Sequence, residues 1–281
     1  MKKLIALAVA AASMPAMAAV SISGASEFSY IDTDAATTAG MEQTVVTVSA
    51  SSEMDNGMTI SASSAIINDN GTIGSDNGST SITIAGSFGK LNIGDVAGPL
   101  DALDGVAIGT AENDFSNGQG GDMAVRYDLP TIAEGLTLHV GYSPENGEAV
   151  GSTAVIADTT GFGASYSVAG FKVFYGSEDN AAGEEVTGYG VKYTMGGLTV
   201  GYNASETDGG DELSGIAAGY KTGNLTLAVN TTDNDFTAAD DAKTTVSVAY
   251  SMGGGVTAYA ASTSADVDAD EENTFGIKFS F

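Results

Sequence analysis

The sequence predicts an all-β chain, a transmembrane antiparallel β-barrel of about sixteen strands. Three observations predict it. The chain ends in Asn273-Thr-Phe-Gly-Ile-Lys-Phe-Ser-Phe281, with Phe275, Ile277, Phe279 and Phe281 on one face and Gly276, Lys278 and Ser280 on the other. A two-strand unit recurs along the chain, its first strand ending at tyrosine and its second following a glycine turn. The connections alternate between short glycine turns and longer loops rich in Asp, Glu, Asn, Gly and Thr, as in barrels with short turns at one rim and long loops at the other.

In chain order, Met1-Lys2-Lys3, the apolar stretch Leu4 to Ala12 and then Ala16-Met17-Ala18 have the charged, apolar and small-residue order of a secretory signal peptide. Residues 1–18 are therefore expected to be removed, leaving residues 19–281 as one barrel domain. The leader is too short to span a bilayer, and no later segment reaches about 18 continuous apolar residues, so no transmembrane helix is expected. A first strand is placed at Val20 to Tyr30. Two hairpins follow, Val45 to Ser52 with Met58 to Ile66 and Ser81 to Phe88 with Lys90 to Gly94.

The tyrosine-marked hairpins are Met123–Tyr127 with Gly135–Tyr142, Gly163–Tyr166 with Gly170–Tyr175, and Gly190–Tyr193 with Gly197–Tyr202. They continue with Ala218–Tyr220 and Gly223–Val229, then Val248–Tyr250 and Gly255–Tyr259. Strands of about 8–10 residues, tilted, cover an apolar band about 25 Å tall. The tyrosines before the turns, with Phe88, fit a lower aromatic girdle, and Tyr30, Tyr142, Tyr175, Tyr202 and Tyr259 an upper one. A secreted β-solenoid would need turns at a fixed short period. Here Tyr166, Tyr193 and Tyr220 are 27 apart, but Tyr250 comes 30 later and Tyr127 lies 39 earlier, so loops absorb the difference.

Of 281 residues, 36 are acidic and nine basic. Without Lys2 and Lys3, seven basic residues face 36 acidic ones, a formal −29, which is the opposite of a nucleic-acid-binding footprint. With no cysteine and His139 as the one histidine, thiol chemistry and multi-histidine metal sites are excluded, and no nucleophile motif surrounds His139, so no enzyme is expected. An exported, cysteine-free, glycine-rich strand repeat points to the outer membrane of a Gram-negative cell.

The longest connection runs from about Asp95 to Gly121, and a loop this long in a compact protein is usually functional. The segment Ile84-Ala-Gly-Ser-Phe-Gly-Lys-Leu-Asn-Ile-Gly-Asp-Val-Ala-Gly98 leading into it, and the terminal Gly276-Ile-Lys-Phe-Ser-Phe281, resemble the general porins of alphaproteobacteria, the Rhodobacter type. The resemblance implies a homotrimeric, water-filled, sixteen-stranded pore for passive diffusion of ions and small hydrophilic solutes. It also implies that the loop of residues 95–121 folds inward as a constriction, with acidic loop residues opposed by basic residues on the far wall. This chain is shorter and poor in arginine, so a wider or differently charged eyelet is expected.

If apolar and aromatic positions face lipid, strand alternation sends the others into the lumen. Lys90, Arg126, Lys172, Lys192 and Lys278 are then pore-lining, together with His139 and Phe174; a lysine on a barrel strand avoids lipid whatever its use. Arg126 adjoins the long loop in sequence and is the strongest candidate to pair with one of its carboxylates, Asp101, Asp104, Glu112 or Asp114. Opposed charges across a constriction would order water and orient polar solutes.

Acidic loops such as Ser205 to Glu212 and Ala265 to Glu272 predict a modest cation preference. No cofactor is expected to be required, although carboxylate clusters suit calcium and the resemblance raises that for the inward loop; no stretch has EF-hand spacing. Outer-membrane lipid and lipopolysaccharide are the expected surroundings. Between Tyr30 and Phe88 no aromatic occurs, and the outward set Val46, Val48, Ala50, Met58, Ile60, Ala62, Ile82 and Ile84 is small and smooth, which predicts a subunit-facing wall. The alternative is a structural or adhesive barrel whose loop closes the lumen.

Overall fold

The computed structural model describes residues 18–33, 36–69, 72–73, 80–103, 122–144, 158–179, 183–234, 241–265 and 271–281. Residues 1–17, all but the last of the expected leader, and most of the long loop lie outside these.

The chain forms one closed antiparallel barrel. Its strands are β1 Ala18–Thr33, β2 Thr37–Glu53, β3 Thr59–Asp69, β4 Thr72–Ile73, β5 Thr80–Gly86, β6 Gly89–Ala97, β7 Asp122–Asp128 and β8 Leu136–Ser143. They continue with β9 Thr159–Val168, β10 Phe171–Asp179, β11 Glu185–Met195, β12 Leu198–Thr207, β13 Glu212–Thr222, β14 Leu225–Asn234, β15 Asp241–Gly253, β16 Val256–Ala265 and β17 Glu272–Ser280. The two-residue β4 pairs only with the end of β3, and β3 pairs directly with β5, so sixteen strands make the wall. Each of the sixteen pairs with its sequence neighbours, and β1 closes the ring against β17. Beyond β17, Phe281 exchanges two backbone hydrogen bonds of 2.9 Å with Gly24, so the aromatic last residue is part of the seam.

Alternation sorts the side chains. Phe171, Val173 and Tyr175 of β10, Val191 of β11, Leu227 and Val229 of β14, and Phe275, Ile277 and Phe279 of β17 are exposed on one face. Residues of the opposite parity, such as Phe174 of β10, Asn230 of β14 and His139 of β8, are buried on the other. An apolar outside and a polar, partly covered inside is a water-soluble protein inverted, as expected where lipid replaces water. The turn between β9 and β10 is Ala169-Gly170 with φ of 49° and 86°, the left-handed pair that matches hairpin twist.

Four expectations are corrected. The first hairpin is longer than 8–10 residues per strand, at 16 and 17. The segment Ser205 to Glu212 is a loop only at residues 208–211, since β12 runs through Thr207 and β13 starts at Glu212. The long loop begins after Ala97 rather than at Asp95. Tyr259 does not belong to an outer girdle: it pairs with Gly276, in the row of Lys278, and its ring fills the space a side chain at Gly276 would need. Tyr30, Tyr142 and Tyr175 stand outward and exposed, as do Tyr166, Tyr220 and Tyr250 at the other rim.

Candidate functional site: the luminal wall

The charged core of the inner wall is Asp128, the last residue of β7. Arg126 Nε donates to its Oδ1 at 2.8 Å, His139 Nδ1 lies 2.7 Å from the same oxygen, Asn92 Nδ2 donates to Oδ2 at 3.1 Å and Lys90 Nζ stands 3.9 Å away. Strand register causes this convergence. Lys90 and His139 both pair with Asp128, from β6 and β8, while Asn92 pairs with Arg126. Thr83 of β5 extends the network by donating to Asn92 Oδ1 at 2.9 Å. Charge-assisted hydrogen bonds of this kind contribute about 1.5–3 kcal/mol each where the groups are sheltered from water.

Arg126 also donates from Nη1 to the carbonyl of Ala97 at 2.6 Å, the last strand residue before the long loop. Among the described residues its carboxylate partner is therefore Asp128, on its own strand, rather than a loop acid. Of the loop carboxylates, Asp101 starts a 3-10 turn, Asp101–Leu103, and is half-buried. Asp104, Glu112 and Asp114 lie outside the described residues.

The start of that loop rests on the inner wall. Lys172 Nζ donates to the carbonyl of Leu103 at 2.7 Å, and Glu178 Oε2 accepts the N–H of Leu100 at 3.0 Å. Lys172 and Glu178 alternate with the exposed Val173 and Tyr175, so the face they share is the luminal one. Lys192 of β11 is directly opposite Lys172 and half-buried. Like charges placed so in a pair of strands repel, and both remain on the water side of the wall. Across the seam, Lys278 Nζ is 3.7 Å from Glu27 Oε2, and Tyr259 donates its hydroxyl to Glu27 Oε1.

Sequence reading missed Asp128, Glu178, Glu27 and the inward turn of Tyr259. It also missed Met123, which strict alternation sends outward with Val125 but which is buried beside Gly141 and Gly161, next to a register shift between Ile93 and Val96. Asp128 and Glu178 carried a signal of direction, since Asp128 has Arg126's parity and Glu178 has that of Lys172.

The sequence model for Gram-negative porins matches residues 5–270. Substituted forms of the porin of Rhodopseudomonas blastica superpose with TM-scores of 0.77 and 0.76, at 16% identity, covering 94% of this chain and 100% of theirs. A structure titled for the asymmetric conductivity of engineered proteins superposes at 0.75 with 17% identity. No individual protein of curated function matches the sequence. A family match over nearly the whole chain, joined to a closed sixteen-stranded wall with lipid-type residues outside and ionised ones inside, places the chain in the Gram-negative porin family.

Proposed function

We propose that this outer-membrane general diffusion porin, freed of residues 1–18, conducts small hydrophilic solutes and ions with a modest preference for cations. It is a channel rather than an enzyme, so solutes pass by diffusion without turnover. The observation that carries the cation preference is the charge balance: seven basic against 36 acidic residues in the exported chain. Several luminal cations are also matched by carboxylates, Lys90 and Arg126 by Asp128 and Lys278 by Glu27. Fixed negative charge at a pore mouth concentrates cations and is screened within about 10 Å at 0.1 M salt. In a planar bilayer across a potassium chloride gradient, stepwise conductance is expected with a reversal potential favouring potassium, more so at low salt. A chloride-favouring potential would overturn the preference, and silence from folded, inserted protein would overturn the open pore.

The constriction belongs to the same reading. The residues Gly98 to Leu103 against the wall support an inward course for the loop, and Lys172, Lys192 and Arg126 are the basic groups that would face it. Among the described residues no group of three or more acidic or histidine side chains is placed to hold a metal. Calcium therefore rests on the acidic loops, with Asp101, Asp104, Glu112 and Asp114 as the candidate carboxylates. The expected result is a lower melting temperature in chelator than in calcium; identical melting would remove calcium from the reading.

The trimer rests on the outer face of β1 to β5. Ile22 opposite Val48, and Ala62 opposite both Ala50 and Ile82, make an aliphatic patch, with Phe28 and Tyr30 of β1 further along the same face. Ile22, at 63% exposed, is among the most exposed apolar residues of the wall. A second copy covers such a surface better than lipid does, because small side chains let backbones approach closely. Cysteine at Val48 or Ile60 is expected to crosslink subunits in the outer membrane, and no subunit-to-subunit bond at either position would reject this face.

A further inference from the structure

We infer that Glu178 and Lys172 are two anchors that grip the first turn of the long loop from opposite ends of β10 and thereby set the bore of the pore. The inference rests on the porin reading and names positioning residues within it. Glu178 and Lys172 are six residues apart on one strand, about 20 Å along it. Their long side chains converge on Leu100 and Leu103, which are three residues apart in the loop.

Glu178 is 1% exposed. A carboxylate taken that far out of water is stable only with donors aimed at it, and the N–H of Leu100 is one of them. Lys172 reaches the carbonyl of Leu103 with its ammonium 5.9 Å from the centre of the Phe174 ring. Between the two polar grips, Leu100, Leu103, Phe174, Val186 and Ala217 form a buried apolar cluster inside the barrel. An apolar cluster inside a lumen has no use in a bare water-filled tube, and here its residues come from both the loop and the wall.

The wall beneath is cleared for this contact. A Cβ on Gly163 would collide with the carbonyl oxygen of Pro99, one on Gly176 would lie 2.9 Å from Leu103 Cδ1, and one on Gly161 would lie 2.6 Å from Glu178 Cβ. Gly190 makes room for the Phe174 ring itself. Inward positions on four neighbouring strands, β8 to β11, thus carry glycine where the loop or its anchors press closest, counting Gly141, whose Cβ would strike Met123 and lie 2.8 Å from Pro99. A floor flat at these points, an apolar clamp and two charge-assisted hydrogen bonds fit a loop base that stays fixed while solutes pass.

The test compares Glu178→Ala with Glu178→Gln in planar bilayers, by open-channel noise and by the largest neutral polyethylene glycol that enters the pore. Both variants lose the same charge, but glutamine keeps an oxygen to accept the Leu100 N–H, so their difference isolates the hydrogen bond. Losing a bond to a buried charged group raises the time the loop spends lifted by roughly tenfold. Glu178→Ala is expected to admit larger polymers and to flicker, with Glu178→Gln near the wild type. Lys172→Met is expected to act in the same direction and decides the matter if Glu178→Ala does not fold. A conducting wild type with folded variants of unchanged noise and polymer cut-off would overturn the anchors alone, whereas a silent wild type would overturn the porin reading.

Discussion

Replacing Asp128 with alanine is expected to destabilise the barrel by about 3–5 kcal/mol, because it removes the one anion around which Arg126, His139, Asn92 and Lys90 are gathered. Arg126, His139 and Asp128 have side chains only 16%, 10% and 12% exposed, so water replaces the lost carboxylate poorly. The loss comes from what is left behind: an arginine and a histidine on a sheltered wall, and an Asn92 amide left with only its long 3.4 Å bond to the Arg126 carbonyl. Asp128→Asn keeps one oxygen, enough for Arg126 or for Asn92 but not for both in place, and loses the charge, so it is expected to fall between wild type and alanine. Urea unfolding from lipid vesicles checks the order, wild type above Asp128→Asn above Asp128→Ala. The same substitution removes a negative charge and bares Arg126 and Lys90, so the reversal potential moves toward chloride. Unfolding of Asp128→Ala at the wild-type midpoint would show that the network is an arrangement of the wall and not a support of it.

How much of this could be seen beforehand depended on whether a residue's neighbours in sequence are also its neighbours in space. Lys172 was placed in the lumen because Phe171, Val173 and Tyr175 flank it on the opposite parity, and a strand transmits that alternation without help from elsewhere. Tyr259 was misplaced because its strand is small on both faces, with Ala258, Ala260 and Ala261 around it. An aromatic among alanines was given to lipid, when pairing with Gly276 decides its side. Glu178 has the parity of Lys172, so its inward direction was readable, but its partner Leu100 is 78 residues away and no local pattern announces that contact.

The segment Ser205 to Glu212 looked like a loop because serine, threonine and glutamate are loop residues in soluble proteins. Inside a water-filled barrel they are equally at home on the luminal face of a strand, which is where Ser205 is found, fully buried in β12. Polarity therefore marks a boundary poorly in this class of protein, and glycine turns mark it well.

Moving one lysine by a single residue tests the period-two logic of the whole wall. Val191 points outward, opposite Val173 and Tyr202, and Lys192 points inward, opposite Lys172 and Gly201. Val191 is flanked on its own face by Tyr189 and Tyr193, which puts it within the apolar band. Val191→Lys is expected to cost about 2–4 kcal/mol near the midplane, less if the ammonium reaches a headgroup. Lys192→Val carries no such penalty, because it removes one of two like charges facing each other at Lys172 and leaves every backbone bond of β11 in place. The consequences separate by assay. Val191→Lys lowers the urea midpoint and, where folded, leaves the reversal potential nearly unchanged, since the new charge is outside the pore. Lys192→Val holds the midpoint within about 0.5 kcal/mol of the wild type and shifts the reversal potential further toward potassium. If both variants were equally stable, the face assigned to lipid would be a face in water, and the inside-out arrangement argued from alternation would not hold for β11.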